Sequence, residues 1–177
     1  MQSALSAYLD SALLPQHVRK QLRQANQVAS STEIDFYLDQ LAIRLTLRWQ
    51  DENPLLLGCN GSGTVLVGML LRRLAFVMQY VDLIDFDAPS DATGLPRPVV
   101  LLAGCFDGQQ RMNELAATLA TAGVDEFACV AMVSHGKELI DAAVPESVFV
   151  KESGVLLGCG FDVDGYGANL PDLYHIP

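Results

Sequence analysis

Apolar positions follow two rhythms along this chain, and the alternation between them predicts its architecture. Leu5, Tyr8, Leu9 and Ala12 recur at helical spacing up to Pro15, which suits the first turn of a second helix with Val18, Leu22 and Ala25 on one face. Residues 1–29 therefore read as a helical segment in two pieces. Ser30-Ser-Thr-Glu33 has the form of a capping box. Behind it Ile34, Leu38, Leu41, Ala42, Leu45 and Trp49 recur at steps of three and four until Asp51, Asn53 and Pro54 end the helix. Leu55-Leu-Leu-Gly-Cys59 is a continuous apolar run, the mark of a strand buried on both faces. Residues 60–63, Asn-Gly-Ser-Gly, read as a tight turn before a helix carrying Val65, Leu66, Met69, Leu70 and Leu74.

The same plan returns further on. Val99-Val-Leu-Leu reads as a second buried strand, followed by Asp107 and Gly108. A helix with Leu115, Leu119 and Ala122 on one face then runs until Gly123 stops it. Residues 76–84, 127–133, 147–150 and 155–157 read as further strands, and 85–98 as a polar, proline-rich connection. Strands alternating with helices predict an α/β fold, an open, mostly parallel sheet flanked by helices with right-handed crossovers. Residues 1–29 would stand as an extra N-terminal helical segment and 30–177 as a single α/β domain.

Composition narrows the function. The 177 residues carry 11 basic against 21 acidic side chains, a net charge of −10, which speaks against a nucleic-acid partner. The sequence has no apolar run long enough for a membrane span, and residues 1–10 lack the basic start of a secretory signal. Cys59, Cys105, Cys129 and Cys159 are scattered singly in apolar stretches, as expected of buried thiols in a reducing compartment, and a cytoplasmic protein is expected. Arg19, Lys20 and Arg23 read as a solvated face. Neither a Ser-His-Asp constellation nor a zinc-type His/Cys cluster is evident.

In open parallel sheets ligands bind beyond the carboxyl ends of the strands, where helix N-termini favour anions. That places Asp107 at the expected site, whereas the Asn60–Gly63 run, taken alone, is a turn. Asp107 has two readings, a helix cap and a catalytic carboxylate. Asp162 and Asp164 have two as well, turn formers and metal ligands.

The order and spacing of "NPLLLGCNGSGTVLVGMLL", "PVVLLAGCFDGQQRMNEL" and "LLGCGFDVDGYGANLPDLYHI" resemble the hypoxanthine-guanine phosphoribosyltransferases, from about Val18 to Ile176. That family moves the phosphoribosyl group of PRPP (5-phosphoribosyl pyrophosphate) to a purine base with magnesium. The resemblance implies the type I phosphoribosyltransferase fold, with PRPP and a purine base or purine nucleotide as ligands, and a homodimer or homotetramer. It implies Asp107 as proton acceptor, and Asn60, Gly61, Ser62, Gly108 and Arg111 as phosphate contacts. His135 and Lys137 would stand near the purine-selecting lysine position, Val155 at the stacking-ring position, and Asp162 near Mg2+. The sequence departs from the family where two adjacent acids bind the ribose hydroxyls: here they are Ala103 and Gly104. Ala168 replaces an arginine, beside a retained Asn169, and residues 85–98 replace a long lid. Two readings follow, a phosphoribosyltransferase of purine salvage with an altered site, and a non-catalytic nucleotide-binding or oligomer-partner protein of the same fold.

Overall fold

Ser30 and Glu33 form the expected capping box. The Ser30 amide donates to Glu33 Oε2 at 2.8 Å and the Glu33 amide to Ser30 Oγ at 3.3 Å. These two bonds open the longest helix of the protein's computed structural model, which describes residues 3–83, 98–106, 108–121, 123–124, 127–135, 146–151 and 154–177. In chain order the elements are α1 (Ala4–Leu9), α2 (Gln16–Leu22), β1 (Asn26–Ala29), α3 (Ser31–Trp49), β2 (Leu55–Cys59), α4 (Asn60–Leu71) and β3 (Gln79–Leu83). Then follow β4 (Val99–Phe106), α5 (Gly108–Thr121), β5 (Phe127–His135), β6 (Glu146–Lys151), β7 (Val155–Leu157) and β8 (Leu173–Ile176). The connection at 84–97 lies outside the described residues. Two compact units emerge, Met1–Tyr37 with Ser153–Pro177, and Leu38–Glu152.

In the second unit the described strands lie in the order β3-β2-β4-β5-β6, all parallel. Leu55, Leu57, Cys59, Val99, Leu101, Ala103, Cys129 and Ala131 share one buried cluster with Leu119 and Val124 at the end of α5. Alternation along the strands sends Leu56, Val100, Leu102, Val130 and Met132, equally buried, to the opposite face. The connection from β2 to β3 and that from β4 to β5 run in opposite directions, so right-handed crossovers put α4 and α5 on opposite faces. The end of α5 has the geometry of a Schellman motif, as Gly123 foretold. Val124 N donates to Leu119 O and Gly123 N to Ala120 O, both at 2.9 Å, with Gly123 at φ 82°.

The first unit holds an antiparallel sheet in the order β1-β8-β7. Leu5, Leu14, Val18 and Leu22 from the two short helices close over Leu157, Val163, Leu170, Tyr174 and Ile176. Here the structure corrects the sequence reading twice. Residues 26–29 are a strand, not the end of a helical segment, and residues 173–176 are its partner, with Asn26 opposite His175. Arg19 does not stand on a solvated face: its Nη2 donates to the carbonyls of Ser11 at 2.6 Å and Leu14 at 3.2 Å, tying down the turn between α1 and α2.

Between β7 and β8 the chain makes two successive two-residue turns. Cys159 and Gly160 stand at φ 54° and 94°, and Asp164 and Gly165 at 53° and 81°. Gly158 and Phe161 exchange both backbone hydrogen bonds, and so do Val163 and Tyr166. Paired positive φ values are the signature of type I′ turns, which favour Asp-Gly and tolerate Cys-Gly at a cost.

Candidate functional site

In the order β3-β2-β4-β5-β6 the sheet reverses direction between β2 and β4, and in open parallel sheets ligands bind at the carboxyl ends of the strands at such a switch point. The two strands that flank it are those expected. Cys59 ends β2 level with Ala103, and β4 continues past it to Cys105 and Phe106, paired with Val133 and Ser134 of β5. The α4 N-terminus, the first turn of α5 and His135 at the end of β5 thus border one edge.

The expected tight turn at residues 60–63 is absent: α4 begins at Asn60, directly after Cys59 at φ −101° and ψ 123°. The sequence Gly-Ser-Gly looks like a turn because glycine permits one, yet neither Gly61 nor Gly63 has a positive φ. The consequence favours an anion. The amides of Asn60 and Gly61 come before the first intrahelical bond of α4, and the helix dipole adds positive potential there. No side chain caps α4 at Cys59.

On the neighbouring strand Ala103 and Gly104 are buried and bring no oxygen to the edge beyond their backbone. Gly108 opens α5 and Arg111 lies in its first turn. Asp107 and Lys137 lie outside the described residues. Val155 and Asp162 belong to the other unit. Val155, at the start of β7, is half exposed and offers no ring for stacking. The Asp162 carboxylate accepts the Gly165 amide at 2.7 Å, holding the second type I′ turn, and Asp164 lies 3.5 Å from His17.

The fit to a protein-held magnesium ion is poor. No group of three or more His, Cys, Asp or Glu side chains that could hold a metal occurs among the described residues. The one described carboxylate expected near the metal, Asp162, already has an oxygen on its own turn.

All four cysteines are thiols. Burial pushes the Cys129 thiol up to about 12, and burial with the carboxylates of Asp172 and Asp35 pushes Cys159 up to about 11. Both hold their protons at neutral pH and behave as small apolar side chains.

The open parallel sheet, its switch point and its flanking helices constitute the type I phosphoribosyltransferase fold. Among solved structures the chain is similar to a hypoxanthine-guanine-xanthine phosphoribosyltransferase, at 22% identity and a TM-score of 0.74 over 86% of this chain and 94% of that one. It is similar to a hypoxanthine-guanine phosphoribosyltransferase from Bacillus anthracis, at 13% identity and a TM-score of 0.72 over 86% and 98%. It is also similar to the hypoxanthine phosphoribosyltransferase of Trypanosoma cruzi in complex with its product IMP, at 15% identity and a TM-score of 0.67 over 85% and 93%. No protein-family model and no curated protein sequence matches the chain. Among the described residues no helix is long and apolar enough to cross a membrane.

Proposed function

We propose that the protein binds PRPP or a purine nucleotide, in the cytoplasm, at the switch point between β2 and β4, and that phosphoribosyl transfer there is slow or lost. The observation that carries this reading is the contrast between the two strand ends. The β2 end leads straight into a helix whose first amides can hold phosphate oxygens, and it keeps the means of anchoring an anion. The β4 end has small buried residues where the family's ribose-binding acids stand. Each missing charge-assisted hydrogen bond costs about 1.5–3 kcal/mol, so two of them lower the rate by about 10²–10⁴-fold. The resemblance to transferases, one of them solved with IMP, supports the ligand class.

An active transferase is the second reading, and the carboxylate kept at Asp107 favours it. On either reading magnesium arrives as the complex of the diphosphate, since the described side chains do not fit a resident ion. The test combines protein, PRPP and hypoxanthine or guanine, with and without magnesium, followed by absorbance for nucleotide formation and by thermal melting. The expected result is a rise in melting temperature with PRPP or IMP and little turnover. Turnover abolished by Asp107→Asn would establish the second reading, and the absence of both turnover and stabilisation would overturn both.

A further inference from the structure

We propose that the cavity between α1 and the segment after the second type I′ turn binds a flat, uncharged aromatic molecule with a hydrogen-bond acceptor on its edge. The described residues around it all belong to the unit of Met1–Tyr37 and Ser153–Pro177, so the proposal does not rest on the anion site of the parallel sheet.

The cavity measures about 460 Å³, within the roughly 300–1,000 Å³ usual for small-molecule pockets. Hydrogen bonds hold its walls in place. On one side Arg19 Nη2 donates to the carbonyls of Ser11 and Leu14, two of the bordering residues, and so fixes the turn between α1 and α2. On the other, Leu170 N donates to Gly167 O at 3.0 Å and Cys159 N to Leu170 O at 2.9 Å. The Gly167 amide donates to the Tyr8 hydroxyl at 2.9 Å and joins the two walls. From α1 the small side chains of Ala4 and Ala7 border the space, where larger ones would fill it. A framed, preformed cavity loses little order when it takes a ligand.

The lining names the chemistry. Among the described residues that border the cavity none is charged. An ionised group buried there would lose its water and gain no partner, so the ligand is uncharged. Tyr8 and Tyr166 both border the space. Among the described residues the rings in contact are those of Phe36 and Tyr37, so the two tyrosines do not stack on each other and can receive a third ring. The Tyr8 oxygen accepts the Gly167 amide, which leaves the O–H proton for an acceptor atom of the ligand. Leu13, also at the border, is 90% exposed. An apolar side chain held in water beside a cavity is covered once the cavity is filled.

The test titrates the full chain with 2-naphthol, an uncharged bicyclic probe, and with naphthalene-2-sulfonate, its anionic counterpart, by calorimetry and thermal melting. One 2-naphthol per chain is expected to bind with a Kd of about 0.1 mM or tighter and to raise the melting temperature. The sulfonate should bind about tenfold more weakly or not at all. Ala7→Leu, at an exposed helix position, should fill the space and lower the affinity for 2-naphthol by about tenfold or more. Leu13→Ser should leave the melting temperature of the free protein unchanged and weaken binding by about threefold, and it reads the site whether or not Ala7→Leu folds. Absence of saturable 2-naphthol binding, equal binding of the sulfonate, or an affinity unmoved by Leu13→Ser would each overturn the proposal. So would self-association of the wild type that Leu13→Ser abolishes, since it would assign the cavity to a protein partner.

Discussion

The segment between β7 and β8 and the carboxyl edge of the parallel sheet are both rich in glycine, yet glycine does opposite work in them. In the closing segment it is obligatory. Gly158 stands at φ 89°, and a Cβ there would lie 2.0 Å from the carbonyl oxygen of Asp172. Gly167, at φ 90°, would drive one into Leu157, and its amide takes the Tyr8 hydroxyl as acceptor at 2.9 Å. At the sheet edge Gly61 lies in ordinary helix with nothing within 4 Å of an added Cβ. Shape is thus fixed by steric necessity in the closing segment, while at Gly61 nothing among the described residues requires a glycine. Space without a structural reason is what a ligand-binding backbone offers.

This comparison can be broken or sharpened by substitution. Gly158→Ala should have the largest effect, a loss of about 3 kcal/mol or more from left-handed strain and a backbone clash, seen as a melting point lower by about 6–12 °C. A change within error would mean that the closing segment has slack. Next comes Asp172, whose carboxylate accepts the Ser31 amide at 2.8 Å and the Tyr174 hydroxyl at 2.9 Å, joining the start of α3 to β8. Asp172→Ala should cost about 2 kcal/mol in denaturant unfolding.

The same contact has a pH signature. Burial first, and the Asp172 acceptor second, push Tyr174 from 10 up to about 12. A group whose pKa is raised by folding holds its proton more tightly when folded. Its contribution is therefore complete below pH 10 and is lost as the pH climbs towards 12. Asp172→Asn should lower the Tyr174 transition in an alkaline absorbance titration, and an unmoved transition would assign the whole shift to burial. Ser30→Ala, which removes the side-chain half of the capping box, should cost roughly 1 kcal/mol in the same unfolding measurement. The smallest effect has the opposite sign. Gly61→Ala should stabilise the apo protein by about 0.5 kcal/mol, because alanine is the better helix former. It should also abolish the melting-point rise given by PRPP or IMP. Retention of that rise would move the anion away from the α4 N-terminus.

Much of the fold was legible because its signals are local. The apolar runs of β2 and β4, the period of α3, the capping box and Gly123 each need only a few neighbouring residues to be read. The strands β1 and β8 were not legible, since Asn-Gln-Val-Ala and Leu-Tyr-His-Ile acquire their meaning from each other, across almost the whole chain. The start of α4 was misread for a different reason: a glycine-rich run allows both a turn and a helix, and packing decides between them. Of the candidate site, the two strand ends and their order in chain were legible. The switch point between them was not, because strand order is a property of the sheet. Arg19 was missed because nothing in an amphipathic pattern says that a guanidinium will find two carbonyls.

The pairing of Asn26 with His175 sets a timetable for the chain as it is made. β1 is synthesised early, yet its partner arrives only after every strand of the parallel sheet has been translated. Through that interval the apolar faces of α1 and α2, Leu5, Leu14, Val18 and Leu22, lack the strands and turns they cover in the finished molecule. Local elements can close early, but this long-range sheet must form late. The N-terminal helices therefore keep an apolar face without its finished cover until the closing segment has been made.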